Sequence, residues 1–482
     1  MPPRNLKVII VGGGIGGLAL SIMFERAGID YEVIERSSTL KTLGSTIGLN
    51  ACVLRLLDQL GMYPDIERIS KPIGGFHLQD EHLNPIGYID FSFGKKHYGY
   101  CGRVMSRPAL YEILKNKVPA SKVHLSKQIT AIRELKDGVE CECSDGVVYR
   151  GDLLVGADGA YSQVRQVVQD ILREQGKLAK GDTSPLRLRN HCVLGVTSQL
   201  DHLKFPTLDS EFSQFEIMLF RDKPISIWFS PVPGNKISWS YGGAIEKRTA
   251  ELLSGDTSTY WEWGNTAINN ILVDIEHLPT IYGATVGEII GTTPKELISS
   301  VLLEEKLFSC WHSDRIVLLG DACHKVMPFA GQGAIHAMLD GVSLTNLLYN
   351  MSSTSTENIH SVFQTYYHER ASSASMAVTG SRMLGLFFES KGLLARVVRY
   401  VSLNVLPRWT HRLLIDQMMY DRPQLSFLPP VSDRGLRPAY VYPYEKKQQQ
   451  AHTRQSSTLH KLAWAVPVVA IAAWMFWQLL RV

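Results

Sequence analysis

Glycine-rich turns that follow apolar runs are the clearest chemical signal in this sequence. Gly12, Gly14 and Gly17 form a GxGxxG pattern, which follows a β-branched run at residues 8–11 and precedes an apolar stretch. Such glycines permit a tight turn and bring backbone N–H groups close to an anion at a helix N-terminus. Glu35 ends the next apolar run, 18 residues after Gly17, where a carboxylate can accept hydrogen bonds from ribose hydroxyls. This context predicts dinucleotide binding, although the motif alone does not separate FAD from NAD.

Two further segments place a carboxylate where a buried strand is predicted to end. In residues 152–165, Asp158 follows the run Leu-Leu-Val-Gly-Ala; in residues 315–334, Asp321 follows Ile-Val-Leu-Leu-Gly, and a glycine loop then opens a helix. An acidic side chain in this position can bind a polyol hydroxyl, and free amides at a helix start can bind a phosphate or an electron-rich ring edge. Taken alone, each segment is equally consistent with a capped turn.

The cysteines indicate neither a metal site nor a disulfide framework. There are 7, an odd number, and no CxxC pairs with a second CxxC or with spaced histidines. Reduced thiols in the cytosol are the simplest interpretation. No metal ligands are therefore predicted.

The elements that must position these turns begin with a β-α-β unit. Residues 7–11 and 31–35 are predicted strands, and residues 18–27 a helix between them. The later periodicities predict a β-meander at 123–148, an antiparallel sheet at 185–245, a helix at 252–278 and helices from 334 almost to 420.

The composition is that of a folded protein without a nucleic-acid partner. Lys and Arg number 50 and Asp and Glu 46, so the net charge is only +4, whereas nucleic-acid binding requires a concentrated basic face. The chain is 45% hydrophobic and 20% charged, which excludes wholesale disorder.

In this order and spacing, the three segments resemble the single-component FAD-dependent monooxygenases of the para-hydroxybenzoate hydroxylase type. The GxGxxG…Glu pattern, the GADGAxSxVR-like segment and the GDAxHxxxPxxGxG segment are that family's three fingerprints. The resemblance covers residues 1 to about 350. Within the family, the layout is similar to that of fungal FAD-dependent epoxidases of meroterpenoid and indole-diterpene pathways.

The resemblance implies a set of FAD-binding residues. They are Gly12, Gly14, Gly17 and Glu35 at the ADP half, Arg107 near the phosphates, Gly48 beside the flavin, Asp321 at the ribitol, and Gly333 and Ala334 at the flavin ring. Asp158 belongs to a segment that the family links to both FAD and NAD(P)H. The family commonly has Asn after the second glycine of the last loop, where this chain has Ala334. This leaves the flavin contact to backbone amides.

The implied fold is α/β: a Rossmann-type FAD-binding domain with an inserted β-sheet substrate domain, a C-terminal helical region and a C-terminal transmembrane helix. The FAD-binding domain is predicted at 1–75, 102–184 and 306–350, the substrate domain at 76–101 and 185–305, the helical region at 351–445, and a linker at 446–461.

The predicted transmembrane helix is residues 462–480, which contain no charged residue. At about 1.5 Å per residue they would extend about 28 Å, close to the roughly 30 Å hydrocarbon core of a bilayer. Trp464, Trp474 and Trp477 lie near the ends of this segment, where interfacial rings are favoured. We therefore expect a single-pass tail anchor in the membrane, with the catalytic domain in the cytosol at the endoplasmic reticulum. A buried core helix is the alternative.

The activity implied by the resemblance is mono-oxygenation. NADPH or NADH reduces FAD, which forms a flavin 4a-hydroperoxide with O₂, and one oxygen atom epoxidises an olefin of a prenylated or terpenoid secondary metabolite. Epoxidation requires no side-chain base, so the sequence predicts no catalytic residue. Trp228, Phe229, Trp239 and Tyr241 could line an apolar pocket for a hydrophobic substrate or belong to the core.

Two alternatives remain open at this stage. The first is an aromatic-ring hydroxylase of the salicylate hydroxylase type, which often needs a base to activate a phenol. The second is a membrane-tethered FAD-binding protein without enzyme activity. The sequence does not indicate an oligomeric state.

Overall fold

Five short parallel strands form the sheet that carries the first glycine turn. The computed structural model describes residues 6–40, 46–245, 273–419 and 421–439. The sheet consists of β1 (Lys7–Val11), β2 (Asp30–Ile34), β7 (Val123–His124), β11 (Leu153–Gly156) and β17 (Ile316–Leu318), in the order β17-β11-β1-β2-β7. The central strands are almost wholly buried, which is why they are continuous apolar runs.

The β-α-β unit predicted near the N-terminus is present. Helix α1 (Ile15–Ala27) connects β1 to β2, and it ends at Gly28, whose φ of +68° is a left-handed conformation that favours glycine. Further helices of this part are α2 (Ala51–Gln59), α3 (Tyr63–Arg68), α4 (Gly94–Tyr98), α5 (Arg107–Lys115) and α6 (Gln163–Glu174).

A ten-stranded, mostly antiparallel sheet is the second main layer. Its strands are β3 (Thr46–Leu49), β4 (Ser70–Asp80), β5 (Pro85–Asp90), β6 (Arg103–Ser106), β12 (Arg187–Val196), β13 (Ser213–Leu219), β14 (Ile225–Val232), β15 (Lys236–Ala244), β16 (Ser299–Leu307) and β18 (His324–Lys325). The order is β18-β16-β12-β15-β14-β13-β4-β6-β3, and β5 pairs with β4. Helix α7 (Val286–Gly291) precedes β16.

The predicted meander is a small antiparallel sheet of β8 (Ile129–Glu134), β9 (Val139–Cys143) and β10 (Val148–Gly151). The first residues of that prediction belong elsewhere, because β7 joins the parallel sheet beside β2. Most of the helix predicted at 252–278 falls on residues 246–272, which lie outside the described residues.

In the part of the chain that the structure describes, four α-helices follow the last strand. They are α8 (Gly333–Tyr349), α9 (Thr356–Glu389), α10 (Leu393–Tyr400) and α11 (Arg408–Met419). Helix α9 extends from the parallel sheet to the large sheet: Tyr366 donates a hydrogen bond to the Leu318 carbonyl at 3.0 Å, and Glu389 at its other end contacts Asn190. It therefore connects the two layers.

The structure corrects the prediction of a membrane-spanning tail. Among the residues it describes, no helix combines the length and the apolar composition needed to cross a bilayer. Helix α8 is apolar but has only 17 residues, and α9 has 34 residues but includes several charged ones. The linker 446–461 and the predicted segment 462–480 lie outside the described residues. The described residues therefore form an α/β fold in which no helix spans a membrane, and a tail-anchored location is not supported.

Candidate active site

The first glycine turn is built by two close backbone approaches. Gly12 has φ +108°, and a Cβ atom there would lie 2.4 Å from the Ala157 carbonyl oxygen at the end of β11. A Cβ on Gly17 would lie 2.0 Å from the Gly12 oxygen, so a side chain at either position would collide with backbone. A Cβ on Gly14 would meet nothing within 4 Å. The turn is thus closed towards the protein and open at the helix N-terminus, which is the shape that a pyrophosphate requires.

Glu35 holds the same turn from the end of β2. Its Oε2 accepts a hydrogen bond from the Gly13 N–H at 2.7 Å, and its Oε1 accepts one from the Ser37 N–H at 2.8 Å. From the other side, the Tyr111 hydroxyl donates to the Gly13 carbonyl at 2.6 Å. Tyr111 lies one turn after Arg107 on α5, so the exposed Arg107 is on the helix face that leads to the glycine turn.

Gly48 lies on the strand next to the one that leads into α5. In the β3–β6 ladder it pairs with Val104, and Thr46 pairs with Ser106, the residue before Arg107. A Cβ on Gly48 would have only the Ile73 side chain nearby, at 3.9 Å. The ladder therefore places Gly48 on the strand beside β6, near the start of α5 where Arg107 lies.

Asp158 acts as the N-terminal anchor of α6. Its Oδ2 accepts hydrogen bonds from the N–H groups of Gln163 and Val164 at 2.8 and 3.2 Å. Its Oδ1 is buried and has no hydrogen-bond partner in the described part of the chain, and burial raises the pKa of this carboxyl. An unsatisfied buried oxygen beside the glycine turn can accept a further hydrogen bond from a ligand.

Arg165 joins the second motif to the third. Only 7% of the residue is exposed, and its guanidinium donates to the Ala322 carbonyl at 3.0 Å and to the Ala160 carbonyl at 2.8 Å. It also lies 4.3 Å from the centre of the Phe308 ring. The arginine of the second motif thus fixes the Gly-Asp turn of the third.

Asp321 and the start of α8 lie together at the third motif. The Asp321 carboxylate accepts a hydrogen bond from the Lys325 ammonium at 2.6 Å and is one-third exposed. Its Oδ1 is 3.8 Å from the position of a Cβ on Gly333. Gly333 and the half-buried Ala334 are the first residues of α8, preceded by Gly331 with φ +61°. Their backbone amides have no partner within the helix and can donate to a ligand. The Asp321 carboxylate nearby can accept further hydrogen bonds.

A buried ion network behind this turn was not predicted. His324 Nε2 lies 2.6 Å from Asp340 Oδ2, the Gly320 N–H donates to the same oxygen at 3.0 Å, and Arg370 Nε donates to Oδ1 at 2.9 Å. His324, Asp340 and Arg370 are fully buried. Burial would raise the pKa of Asp340, but its contacts with His324 and Arg370 outweigh burial and hold that pKa well below its usual range. The sequence contains these residues at separate positions, but it does not indicate that the packing of α8 and α9 brings them together.

The donor atoms of Cys323, His324 and Asp340 lie within 4.8 Å of one another. This spacing could suit a metal ion, but the Asp340 oxygens are engaged by His324, Arg370 and the Gly320 amide. Burial and the neighbouring Asp340 also raise the pKa of the Cys323 thiol well above its usual value, which disfavours a thiolate ligand. The cluster is therefore assigned as an ion network.

An aromatic wall covers one face of the large sheet. It consists of Phe76, Phe91, Phe215, Trp228 and Phe388, with neighbouring ring centres 4.8 to 5.6 Å apart. Phe329, in the loop before α8, packs in the same apolar cluster, and a Cβ on Gly385 would lie 2.8 Å from its ring. The wall therefore extends to the loop that carries Gly333 and Ala334.

Of the four aromatic residues singled out from the sequence, only Trp228 belongs to this wall. Phe229, Trp239 and Tyr241 are buried in a separate core on the opposite face of the sheet. Trp239 donates its indole hydrogen to Thr293 Oγ1 at 2.8 Å there. These three are core residues, the plainer of the two interpretations.

Glu389, the last residue of α9, brings a carboxyl group to the polar end of the same sheet face. The Asn190 amide donates to its Oε2, and the Ser226 hydroxyl donates to its Oε1 at 3.5 Å. Burial raises the pKa of Glu389 to about 8, so the acid is largely neutral at pH 7. Its position at the end of a long helix gives no sequence signal for this role.

The three motifs meet at the carboxyl ends of three adjacent parallel strands. Gly12 touches Ala157, Arg165 bonds Ala322, and a Cβ on Gly16 would lie 2.9 Å from the Leu319 side chain. Ligands of open α/β sheets bind at this edge. The fold and the site therefore define a dinucleotide-binding protein, and its open glycine turn and helix starts fit an extended cofactor such as FAD.

Comparison with known proteins identifies the family to which this chain belongs. The family described as FAD binding domain matches residues 5–186 and 229–381. The chain is 31% identical over 411 residues to the FAD-dependent monooxygenase janM of Penicillium janthinellum, covering 82% of this chain and 80% of janM. It is 33% identical over 366 residues to the FAD-dependent monooxygenase paxM of Penicillium paxilli, covering 73% and 71%.

Solved structures share the fold. HpxO of Klebsiella pneumoniae, complexed with FAD and uric acid, has a TM-score of 0.66 at 20% identity, covering 86% of this chain and 97% of that one. CtdE in complex with FAD and a substrate has a TM-score of 0.65 at 17% identity, covering 86% of this chain and 98% of that one. This chain belongs to the FAD-binding-domain family, and it is an FAD-dependent monooxygenase similar to those of fungal pathways.

Proposed function

We propose that this monooxygenase uses NADPH or NADH and O₂ to epoxidise an olefin of a prenylated or terpenoid secondary metabolite. The observation that carries the proposal is the aromatic wall, which continues to Phe329 in the loop before α8. Aromatic rings on a sheet face next to a cofactor site are typical of a pocket for an apolar substrate. The fungal relatives named as FAD-dependent monooxygenases support the same class of reaction.

The geometry of the three turns supports the FAD-binding residues that the family resemblance implies. Gly12, Gly14 and Gly17 would admit the pyrophosphate, with Glu35 at the adenosine ribose and Arg107 near the phosphates. Asp321 would accept hydrogen bonds from the ribitol, and the amides of Gly333 and Ala334 would face the flavin ring. Gly48 on β3 would lie beside the flavin. The Oδ1 atom of Asp158, which has no hydrogen-bond partner among the described residues, lies beside the turn and could serve FAD or the nicotinamide.

When bound, FAD supplies the electron transfer between nicotinamide and dioxygen. The chain's own residues bind the cofactor, orient the substrate and exclude water from the site. The Arg165 and Asp340 contacts hold the Gly320–Asp321 turn rigid, and the aromatic wall keeps water from the reacting olefin. The sequence has no second GxGxxG after a strand, so we expect the nicotinamide to visit the flavin without a dinucleotide-binding domain of its own.

The decisive experiment is product analysis with labelled oxygen. The purified FAD-loaded enzyme would be incubated with NADPH, ¹⁸O₂ and prenylated phenols, and the product analysed by mass spectrometry. We expect one labelled oxygen on the prenyl chain, in a product that mild acid converts into a diol. A labelled phenol would instead assign the enzyme as an aromatic-ring hydroxylase, and no incorporation would exclude mono-oxygenation of these compounds.

A further inference from the structure

A cavity of about 310 Å³ lies between helix α9, the end of strand β16 and the start of strand β12. Three basic side chains and one acidic side chain line it, namely Arg187, Lys306, Arg382 and Glu305. The other described residues that line the cavity are uncharged. The described part of the chain therefore gives this cavity an excess of positive charge.

Glu305 neutralises only part of this charge. Its side chain is 1% exposed, and it accepts hydrogen bonds from Arg189 Nε at 2.7 Å and from Arg382 Nε at 2.9 Å. One carboxylate is thus shared by two guanidinium groups, which are held in fixed positions at the cavity. Their combined charge exceeds that of Glu305 even before Arg187 is considered.

Arg187 lies beside this group and has no partner of its own among the described residues. In the β12–β16 ladder it is opposite Glu305, yet its exposed side chain forms no hydrogen bond or ion pair with another described residue. Partial burial and the like charges of Arg189 and Arg382 lower its pKa and outweigh the opposite effect of Glu305. Like charges disfavour one another at this separation, and a bound anion would offset that repulsion.

The Lys306 ammonium adds charge to the cavity, while its hydrogen bonds go to the protein backbone. It donates to the carbonyl oxygens of Asp182 and Ser184, and burial lowers its pKa. The nearby Asp182 carboxylate accepts hydrogen bonds from the backbone amides of residues 309 and 310. The donors that remain for a ligand are therefore guanidinium groups.

The strand ladder places this cavity near the third motif. In the β16–β18 ladder Lys306 pairs with Lys325, whose ammonium donates to Asp321 at 2.6 Å. Strand β12 is two strands from β18, which corresponds to about 10 Å at the usual strand spacing. Arg187, at the start of β12, is therefore close to the proposed ribitol contact on the scale of an extended dinucleotide.

Helix α9 connects the cavity to the loop before α8. Ser381, the neighbour of Arg382, donates a hydrogen bond to the Met327 carbonyl and accepts one from the Ala330 N–H at 3.3 Å. The same helix turn therefore carries one of the cavity's arginines and a residue that fixes the loop assigned to the flavin ring.

We propose that this cavity binds the 2′-phosphate of NADPH, with Arg187 and Arg382 as the hydrogen-bond donors and Glu305 holding Arg382 in place. A phosphate monoester carries a charge of about −1.5 to −2 at pH 7, and a guanidinium group can bind it with two parallel N–H donors. NADH lacks this phosphate, so the same residues would make the enzyme prefer NADPH. The inference rests on the proposed function, in which a nicotinamide cofactor reduces FAD, and it adds which of the two cofactors is used.

The test compares two probes that differ by one phosphate: adenosine 2′,5′-bisphosphate and adenosine 5′-monophosphate. Their dissociation constants for the FAD-loaded enzyme would be measured by isothermal titration calorimetry, with inorganic phosphate as a third probe. We expect the wild-type enzyme to bind the bisphosphate at least tenfold more tightly than the monophosphate. Arg187→Gln should remove most of this difference and change monophosphate binding less than twofold. Arg187→Lys, which retains the charge, should keep part of the difference.

Arg150→Gln is the matched control for the loss of an arginine. Arg150 is 78% exposed and pairs with Glu140 on the small antiparallel sheet, so all three constants should stay unchanged. Thr379→Glu tests the cavity without removing an arginine. Thr379 lines the cavity at an exposed position of α9, and a carboxylate there should weaken binding of the bisphosphate. Gln364→Glu, at an exposed position earlier in α9, is its control and should not.

Flavin reduction separates the inference from the proposed function. NADPH or NADH would be mixed with the FAD-loaded enzyme without oxygen, and the loss of flavin absorbance would be followed. In Arg187→Gln we expect the dissociation constant of NADPH to rise at least tenfold and that of NADH to change less than twofold, with the limiting rate of reduction unchanged.

The two proposals fail in different ways. If both cofactors reduce the wild-type flavin but Arg187→Gln and Thr379→Glu behave like the wild type, the inference is wrong and the proposed function stands. Inorganic phosphate that binds as tightly as the bisphosphate would also overturn the inference, because the cavity would then be a general anion site. If neither cofactor reduces the wild-type flavin, the proposed function is wrong and the inference is overturned with it.

Discussion

His324 Nε2 and Asp340 Oδ2 lie 2.6 Å apart in the fully buried interior behind the third motif. The same carboxylate accepts the Gly320 amide and the Arg370 guanidinium. Gly320 has φ +63°, and a Cβ there would lie 2.9 Å from the Ala337 side chain. Asp340 therefore anchors a tight turn, immediately before Asp321, to helices α8 and α9.

Asp340→Asn should destabilise the protein strongly. The substitution removes the fully buried counter-charge of Arg370, which keeps the partly exposed Asp421 at 3.3 Å. We therefore expect a cost of up to about 3–5 kcal/mol, the cost of breaking a buried ion pair outright. We expect a lower midpoint of urea unfolding and faster release of FAD. The measurement is unfolding followed by circular dichroism, together with flavin fluorescence, which increases when FAD is released.

The double variant Asp340→Asn with Arg370→Met separates the charge effect from simple loss of packing. Replacing both partners of a buried pair is far less costly than removing one. The double variant should thus recover part of the stability lost in the single one. A single variant as stable as the wild type would show that the network does not anchor the turn.

Asp321→Ala tests the proposed ribitol contact. Removing this acceptor should cost about 1–3 kcal/mol, which corresponds to about one to two decades of FAD affinity. The dissociation constant of FAD would be measured by reconstituting the apoprotein.

Asp314→Ala is the matched control for this substitution. Asp314 precedes β17, is 53% exposed and lies 3.3 Å from His360 Nδ1, so its loss also removes a surface carboxylate and its polar contact, but outside the proposed site. Its FAD affinity should equal that of the wild type. Equal affinity in Asp321→Ala would place the ribitol elsewhere.

Oxidation of NADPH should depend on substrate. Without substrate, the flavin site lacks the apolar molecule that completes its wall and excludes water. NADPH oxidation should then be slow or should release hydrogen peroxide, and an apolar substrate should raise the rate while lowering the peroxide formed per NADPH. Rapid reduction of an external acceptor without incorporation of oxygen from O₂ would instead indicate a reductase or dehydrogenase.

The elements around the glycine turn could be predicted because each was determined by local sequence. The run at β1, the GxGxxG pattern and Glu35 lie within one short segment, and the structure places them in one β-α-β unit. Asp340 and Arg370 could not be predicted as a pair, since they are 30 residues apart on two helices whose packing is a tertiary property. The same holds for Arg165 and Ala322, which come from different motifs.

The two faces of the large sheet show a second limit of prediction from sequence. Alternation along a strand puts Trp228 and Phe229 on opposite faces, but it does not say which face meets the loop before α8. The structure shows that Trp228 does, while Phe229 lies in the other core. The identity of the substrate-facing side chains therefore required the arrangement of α9 and Phe329, which no local pattern encodes.

Glu389 offers a prediction on pH and stability. The residue is 5% exposed, and a Cβ on Gly242 would lie 2.8 Å from its Oε1, so the surrounding structure is tight. Burial raises its pKa from 4.5 to about 8. The folded state therefore holds a proton that the unfolded chain has already released between these two pH values.

The stability that this proton contributes is fully present below about pH 4.5 and is lost as the pH rises to about 8. Glu389→Gln removes the titration while retaining an acceptor for the Asn190 amide. Relative to the wild type, its free energy of unfolding should be similar or lower at pH 5 and higher at pH 9, by roughly 3–5 kcal/mol at most. Urea unfolding at both pH values measures the difference. Glu174→Gln, at the exposed end of α6, is the control and should show no such reversal. A pH-independent difference for Glu389→Gln would mean that this carboxyl is ionised in the folded protein, and that the polar end of the substrate-facing sheet carries a charge.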